Sequence, residues 1–140
     1  WSSDVCSSDL MIVPNNGDQT VSVIDVQSHT LVATLPAGTD MTGVNFGNDG
    51  KKGYVISRGT SQVFMYDFSA LKKTGQLDMG EGARLETAST SPAGTKVYVA
   101  SSSDNSLYVI DVESDRVKRI KDVGNFPWGV SIYKGQNYCH

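Results

Sequence analysis

One pattern occurs three times along this chain. Ile12-Val-Pro-Asn-Asn-Gly-Asp-Gln-Thr-Val-Ser-Val-Ile-Asp25 is the first copy, Tyr54-Val-Ile-Ser-Arg-Gly-Thr-Ser-Gln-Val-Phe-Met-Tyr-Asp67 the second, and Tyr98-Val-Ala-Ser-Ser-Ser-Asp-Asn-Ser-Leu-Tyr-Val-Ile-Asp111 the third. The closing aspartates lie 42 and then 44 residues apart (67 − 25 and 111 − 67). Gly38, Gly80 and Gly124 keep the same spacings. A fixed period of this length implies supersecondary units that each hide an apolar face on the next.

Each unit divides into the same four strands. The first covers residues 11–14, 54–57 and 97–101, short runs rich in β-branched and aromatic side chains. A Gly/Asn/Asp/Ser loop reverses the chain. The second strand, at 21–26, 63–68 and 107–112, is almost continuously apolar, which predicts burial on both faces. The third, at 31–35, 74–77 and 117–120, alternates and is more polar, as an outer edge should be. The fourth follows the repeated glycine at 43–46, 87–90 and 129–132, and its small residues suit a crowded inner position. The turns Gly47-Asn-Asp-Gly50 and Ser91-Pro-Ala-Gly94 lead back into the next unit. The helix-like patch at 70–73 sits where the other copies turn, so the repeat register overrides its local propensity. Four antiparallel strands per unit of about 40–45 residues describe the blade of a β-propeller, so the expected fold is all-β.

The first ten residues, Trp1-Ser-Ser-Asp-Val-Cys-Ser-Ser-Asp-Leu10, share nothing with the repeats. They resemble the translation of a sequencing-adapter remnant at the end of a metagenomic reading frame and are set apart as a non-native segment. The repeats then occupy 11–133, as 11–52, 53–96 and 97–133, and residues 134–140 form a tail. Without Asp4 and Asp9 the net charge of −3 becomes −1. Cys6 drops out and leaves Cys139 alone, so no intrachain disulfide is implied. The charge offers no basic footprint for nucleic acid. No apolar run approaches the ~18 residues of a membrane span.

With the copies aligned, residues 11–133 resemble the YVTN family of propeller repeats. The resemblance rests on Val13-Pro-Asn-Asn-Gly-Asp-Gln-Thr-Val-Ser-Val-Ile-Asp25 and on Ser91-Pro-Ala-Gly-Thr-Lys-Val-Tyr-Val-Ala100. It implies a propeller found in the periplasm or at the cell surface. Related propellers serve as binding proteins, lactonases, quinoprotein dehydrogenase subunits and a nitrite-reductase haem domain. Three blades' worth of strands is fewer than the four to eight that close a ring. The expectation is therefore the C-terminal portion of a larger, seven-bladed propeller, partnered by its own upstream blades. A homodimer closing six blades is the alternative.

Ligands in propellers bind around the channel mouth. The loops on that side carry Asp40, Arg58, Glu81, Arg84, Asn125 and Trp128. Arg58 and Arg84 stand where loops of this kind usually carry small residues, and guanidinium forks suit a carboxylate or phosphate. Asn125-Phe-Pro-Trp-Gly129 departs from the other copies, and packing between blades is its favoured role. Asp25, Asp67 and Asp111 are expected to bind backbone N–H groups of the following turn, because every copy has one. His29 belongs to the opposite loops. Cys139 and His140 are weak candidates for copper or zinc and fall short of a full ligand set. No catalytic motif, P-loop, dinucleotide fingerprint or haem-attachment motif is present.

These features point first to a non-catalytic binding or scaffold module with no cofactor, holding a small molecule or protein at the mouth. The alternatives are part of a haem- or quinone-dependent oxidoreductase propeller, or a lactonase-like propeller.

Overall fold

The computed structural model describes residues 9–134. Eleven strands form three antiparallel sheets, with no α-helix among the described residues. The first sheet contains β1 (Leu10–Asn15), β2 (Thr20–Asp25) and β3 (Thr30–Pro36). The middle sheet runs β4 (Met41–Gly47), β5 (Lys52–Ser57), β6 (Gln62–Asp67), β7 (Lys72–Asp78). The third runs β8 (Leu85–Thr90), β9 (Lys96–Ser101), β10 (Ser106–Asp111), β11 (Val117–Ile120). Consecutive strands pair throughout, so each sheet is a meander and the repeat register is the strand register. Residues 70–73 turn and enter β7, as the register required. Leu10 pairs with Asp25, and the Asp9 carbonyl accepts the Val26 N–H at 2.8 Å. The first strand thus begins before residue 11; residues 1–8, with Cys6, lie outside the described residues.

The sheets are held face to face by two apolar seams. Val21, Val23 and Leu35 of the first sheet meet Val55, Phe64, Tyr66 and Phe68 of the middle one. The other face of the middle sheet sets Tyr54, Ile56, Val63 and Met65 against Val97, Val99, Tyr108 and Ile110. Each fully buried aliphatic side chain contributes roughly 1.5–3 kcal/mol. The middle sheet is therefore buried on both faces, and β5 and β6 carry continuous buried runs. β2 and β10 alternate instead, because no sheet among the described residues covers their second face. The two-sided burial expected for all three second strands holds only in the middle.

A twelfth strand at 129–132 does not form. That segment lies beside β8: the Trp128 carbonyl accepts the Thr87 hydroxyl at 3.1 Å, and the Val130 N–H donates to the same hydroxyl at 3.2 Å. An inner strand needs an antiparallel neighbour for its ladder, as β5 serves β4, and the described residues supply none at 129–132. The first sheet correspondingly lacks an inner strand.

Polar bonds fix the far ends. Asp25 Oδ1 accepts the N–H groups of Gln27 and Ser28, and Asp67 Oδ1 those of Ser69 and Ala70. Asp111 accepts from Ser114 and pairs with Lys96 at 2.7 Å, which draws its pKa down to about 2. These three aspartates cap turns, as their repetition implied. Lys52 Nζ donates to the Val112 carbonyl at 2.8 Å and to the Asp115 carboxylate, tying the middle sheet to the third.

One glycine is dictated by packing. A Cβ on Gly53 would lie 1.9 Å from Phe68 Cε2. The equivalent pairs elsewhere are Met11 with Val26 and Val97 with Val112, so a large ring is matched by the absence of a side chain. Gly53→Ala should destabilise by about 1–3 kcal/mol through overpacking. Adding Phe68→Val should recover part of that loss, a non-additivity readable in urea unfolding midpoints.

Candidate functional site

Strand direction places the loops after β1, β5 and β9 on one side, together with those after β3, β7 and β11. At the inner corner of this side the chain builds a charged network. Arg58, just past β5, grips Asp40 with a fork: Nε to Oδ2 at 2.7 Å and Nη2 to Oδ1 at 2.9 Å. Its remaining nitrogen, Nη1, crosses to the third sheet and meets Glu86 Oε2 at 3.0 Å. Glu86 Oε1 accepts Arg84 Nε at 2.9 Å and the Ser102 hydroxyl at 2.7 Å. Four charged side chains and one hydroxyl thus form a chain Asp40–Arg58–Glu86–Arg84 with equal numbers of each sign.

Burial sets the electrostatics. The Glu86 side chain is 2% exposed. Such burial alone would raise its pKa, yet Ser102, Arg84 and Arg58 outweigh that and hold the carboxyl below its ordinary range. The Arg58 fork likewise lowers Asp40, and Asp40 with Glu86 raises Arg58. A buried carboxylate without such partners would cost several kcal/mol, so Glu86 and the two arginines stand or fall together.

Arg58 and Arg84 do bind carboxylates, but these belong to the protein. Arg58 has all three nitrogens engaged. Arg84 differs. Its backbone is fixed by the Ser103 hydroxyl, which accepts its N–H at 2.9 Å, and by its carbonyl, which accepts the Ser102 N–H at 2.9 Å. Its side chain is 53% exposed, and its two terminal nitrogens carry no hydrogen bond among the described residues. Glu81 is exposed and joins none of these bonds.

Asn125 is exposed and apart from the network. Phe126 and Trp128 expose 56% and 63% of their surface. Neither ring fills a gap between sheets among the described residues. The segment is anchored by its backbone, through the Phe126 N–H to Asn105 Oδ1 at 3.0 Å and through Thr87. The backbones of Arg84 and Phe126 thus bond to the same loop after β9, at Ser102 and Ser103 and at Asn105. His29 is exposed on the opposite side. Cys139 and His140 lie outside the described residues. Among the described residues no three His, Cys, Asp or Glu side chains converge as metal ligands.

Sequence reasoning missed Glu86 and Ser102. Ser102 occupies the repeat position of Arg58 and Asn16, where a small polar residue attracts no notice. Glu86 replaces Thr42, and a carboxylate entering an inner strand two residues after an arginine was the available signal.

Opposite loops enclose a second hollow of about 380 Å³, lined by Lys51, Lys52, Tyr66, Asp67, Thr74 and Asp115 among others. Lys52 and Asp115 neutralise each other there, and the Tyr66 hydroxyl is committed to the Pro36 carbonyl at 2.6 Å. It is a wide hollow lined by polar side chains of both charge signs.

Glu86→Ala should cost about 1–3 kcal/mol, since it leaves the buried Ser102 hydroxyl and Arg58 Nη1 without their acceptor while Asp40 still holds Arg58. The pH sign follows from the depressed Glu86 pKa. Its stabilisation is complete above the ordinary glutamate value of 4.5 and is lost as pH falls through the folded-state value. Glu86→Gln should therefore be less stable near neutrality yet show a shallower loss on acidification, read from denaturation midpoints across the acid range.

No family model matches this sequence, and no curated protein sequence matches it. Solved structures do share its fold. The dihydro-heme d1 dehydrogenase NirN, in complex with DHE, aligns at a TM-score of 0.72 and 24% identity, over 86% of this chain and 25% of that one. Hydrazine synthase of Kuenenia stuttgartiensis aligns at 0.63 and 22% identity, over 80% and 34%. The chain spans about a quarter to a third of these proteins. Both are β-propellers, and likeness at this identity speaks for the fold alone. The three packed sheets of this chain are blades of a β-propeller.

Proposed function

We propose that the chain is a YVTN-type propeller module that binds rather than transforms its ligand, and that it takes an acidic group at Arg84. The observation that carries this reading is the half-used guanidinium. Its Nε is locked onto a buried carboxylate, while its terminal nitrogens remain free at the loop side. A cation held in one orientation loses little entropy when it accepts a carboxylate or phosphate. The surrounding loops are positioned by strands, as in a preorganised site. Arg58, by contrast, is a positioning residue, because its donors are consumed by Asp40 and Glu86.

A second reading has one observation in its favour. Phe126 and Trp128 expose their rings, the Phe126 backbone bonds to the loop that also fixes Arg84, and exposed flat apolar rings suit a planar macrocycle. NirN, whose fold this chain shares, is a dihydro-heme d1 dehydrogenase solved in complex with DHE, which makes a tetrapyrrole the natural probe.

Two titrations separate the readings. Inorganic phosphate should produce saturable NMR shifts at Arg84 and Ser103, lost in Arg84→Gln; absence of saturable shifts refutes the acidic-group reading. Haemin should leave the phosphate response intact and give no stoichiometric absorption change. A stoichiometric Soret shift that disappears in Trp128→Ala would favour the second reading instead.

A further inference from the structure

The loops after β1, β5 and β9 share one length and one turn of the backbone, with a left-handed φ at Gln19 (58°), Ser61 (55°) and Asn105 (54°). Asn16, Arg58 and Ser102 therefore hold one position, and Gly17, Gly59 and Ser103 the next. Glycine at that second position has different grounds in the two loops that carry it. A Cβ on Gly59 would run into the side chain and carbonyl of Thr39. A Cβ on Gly17 would meet nothing within 4 Å, and Gly17 does not have a left-handed φ. Ser103 shows that the position accepts a side chain. Neither packing nor backbone conformation calls for Gly17.

Chemistry gives it a consequence. Asn16-Gly17 is the one place in the chain where glycine follows asparagine. Without a Cβ on the second residue, its backbone nitrogen has the freest approach to the side-chain amide before it. The Gly17 nitrogen can then bond to Asn16 Cγ while the Cγ–Nδ2 bond breaks. Nδ2 leaves as ammonia and takes up the proton that the Gly17 nitrogen gives up. The product is a cyclic succinimide. Water opens it at either carbonyl, returning a proton to the nitrogen and leaving aspartate or isoaspartate.

Tertiary structure stands across this path. Asn16 Oδ1 accepts the Met41 N–H at 2.6 Å, and Asn16 Nδ2 donates to the Met41 carbonyl at 3.3 Å. Both ends of the amide are thus held on the middle sheet, at the end of the seam where Val21, Val23 and Leu35 meet Val55 and Phe64. Ring closure requires the amide to turn out of both bonds, which happens when that corner of the seam parts. The converted residue cannot restore them both. A carboxylate has no N–H for the Met41 carbonyl, and it adds a second negative charge beside Asp40, the residue before Met41.

We propose that Asn16-Gly17 is a self-modifying site, deamidated by its own backbone, and that the seam between the first and middle sheets gates the reaction. A closed seam protects Asn16; an opened one is recorded as a new carboxylate.

The 140-residue chain, incubated at mildly alkaline pH and digested, reports each asparagine by the mass gain of an amide turned acid. In urea beyond the unfolding transition, Asn16 should convert first among the asparagines. In the native protein it should convert roughly 10- to 100-fold more slowly, the factor that two net hydrogen bonds supply. Gly17→Ala should keep the native circular dichroism and suppress conversion in urea. Val23→Ala, in the first seam, should speed native conversion, whereas Val99→Ala, in the second, should not; wild-type protein in sub-denaturing urea replaces Val23→Ala if that variant does not fold. Asn16→Asp should lower the urea midpoint. Equal rates in native protein and in urea overturn the proposal. So do faster conversion at another asparagine in urea, a loosened first seam that converts no faster than the intact one, or an Asn16→Asp midpoint equal to that of the wild type.

Discussion

The structure depends on each sheet's need for a neighbour. A four-stranded meander of this size has two apolar faces and cannot hide either one alone. The middle sheet shows the need met: β5 and β6 are buried along almost their whole length. Its rings define how closely the layers approach. Tyr66 and Phe68 stack at 5.6 Å, and Phe46 lies 5.8 Å from Phe68. Gly53 leaves room for that cluster. The outer sheets have the same composition but only one partner, so their second strands alternate between buried and half-buried positions.

Against that shared apolar seam, the polar ends distinguish one interface from the next. The first and middle sheets are joined by a neutral contact, Asn16 Oδ1 accepting the Met41 N–H at 2.6 Å. At the equivalent corner the middle and third sheets use Arg58, and with it the buried Glu86. The substitution converts a side chain that reads the next sheet's backbone into one that demands a counter-charge. Glu86 supplies it, Asp40 balances Arg58, and Arg84 balances Glu86. Charge balance thus links four residues around one changed repeat position, and the chain of ion pairs ends on a guanidinium with donors to spare.

Much of this was legible beforehand because the repeat reports relations between positions rather than propensities. Strand number per unit, the turn-capping aspartates and the non-helical 70–73 patch all followed from register. What failed depended on the presence or absence of a neighbour. Residues 129–132 have a strand's sequence but no partner strand. Phe126 and Trp128 have the bulk to fill a gap, but no second wall bounds one among the described residues. The arginines were singled out for their chemistry, yet the carboxylate that holds them was passed over, since adjacency across two sheets leaves no trace in local pattern.

By itself the sequence determined the unit: which residues extend, where they turn, and which side of each strand is apolar. Those properties are set by side-chain sterics and by alternation, which act over a few residues. Tertiary structure decided which apolar faces are actually covered and which charges cancel. It also decided that Arg84 rather than Arg58 keeps free donors. Burial and ion pairing depend on groups some 30 to 60 residues apart in the chain being brought within 3 Å, as Lys52 with Val112 and Arg58 with Glu86 show.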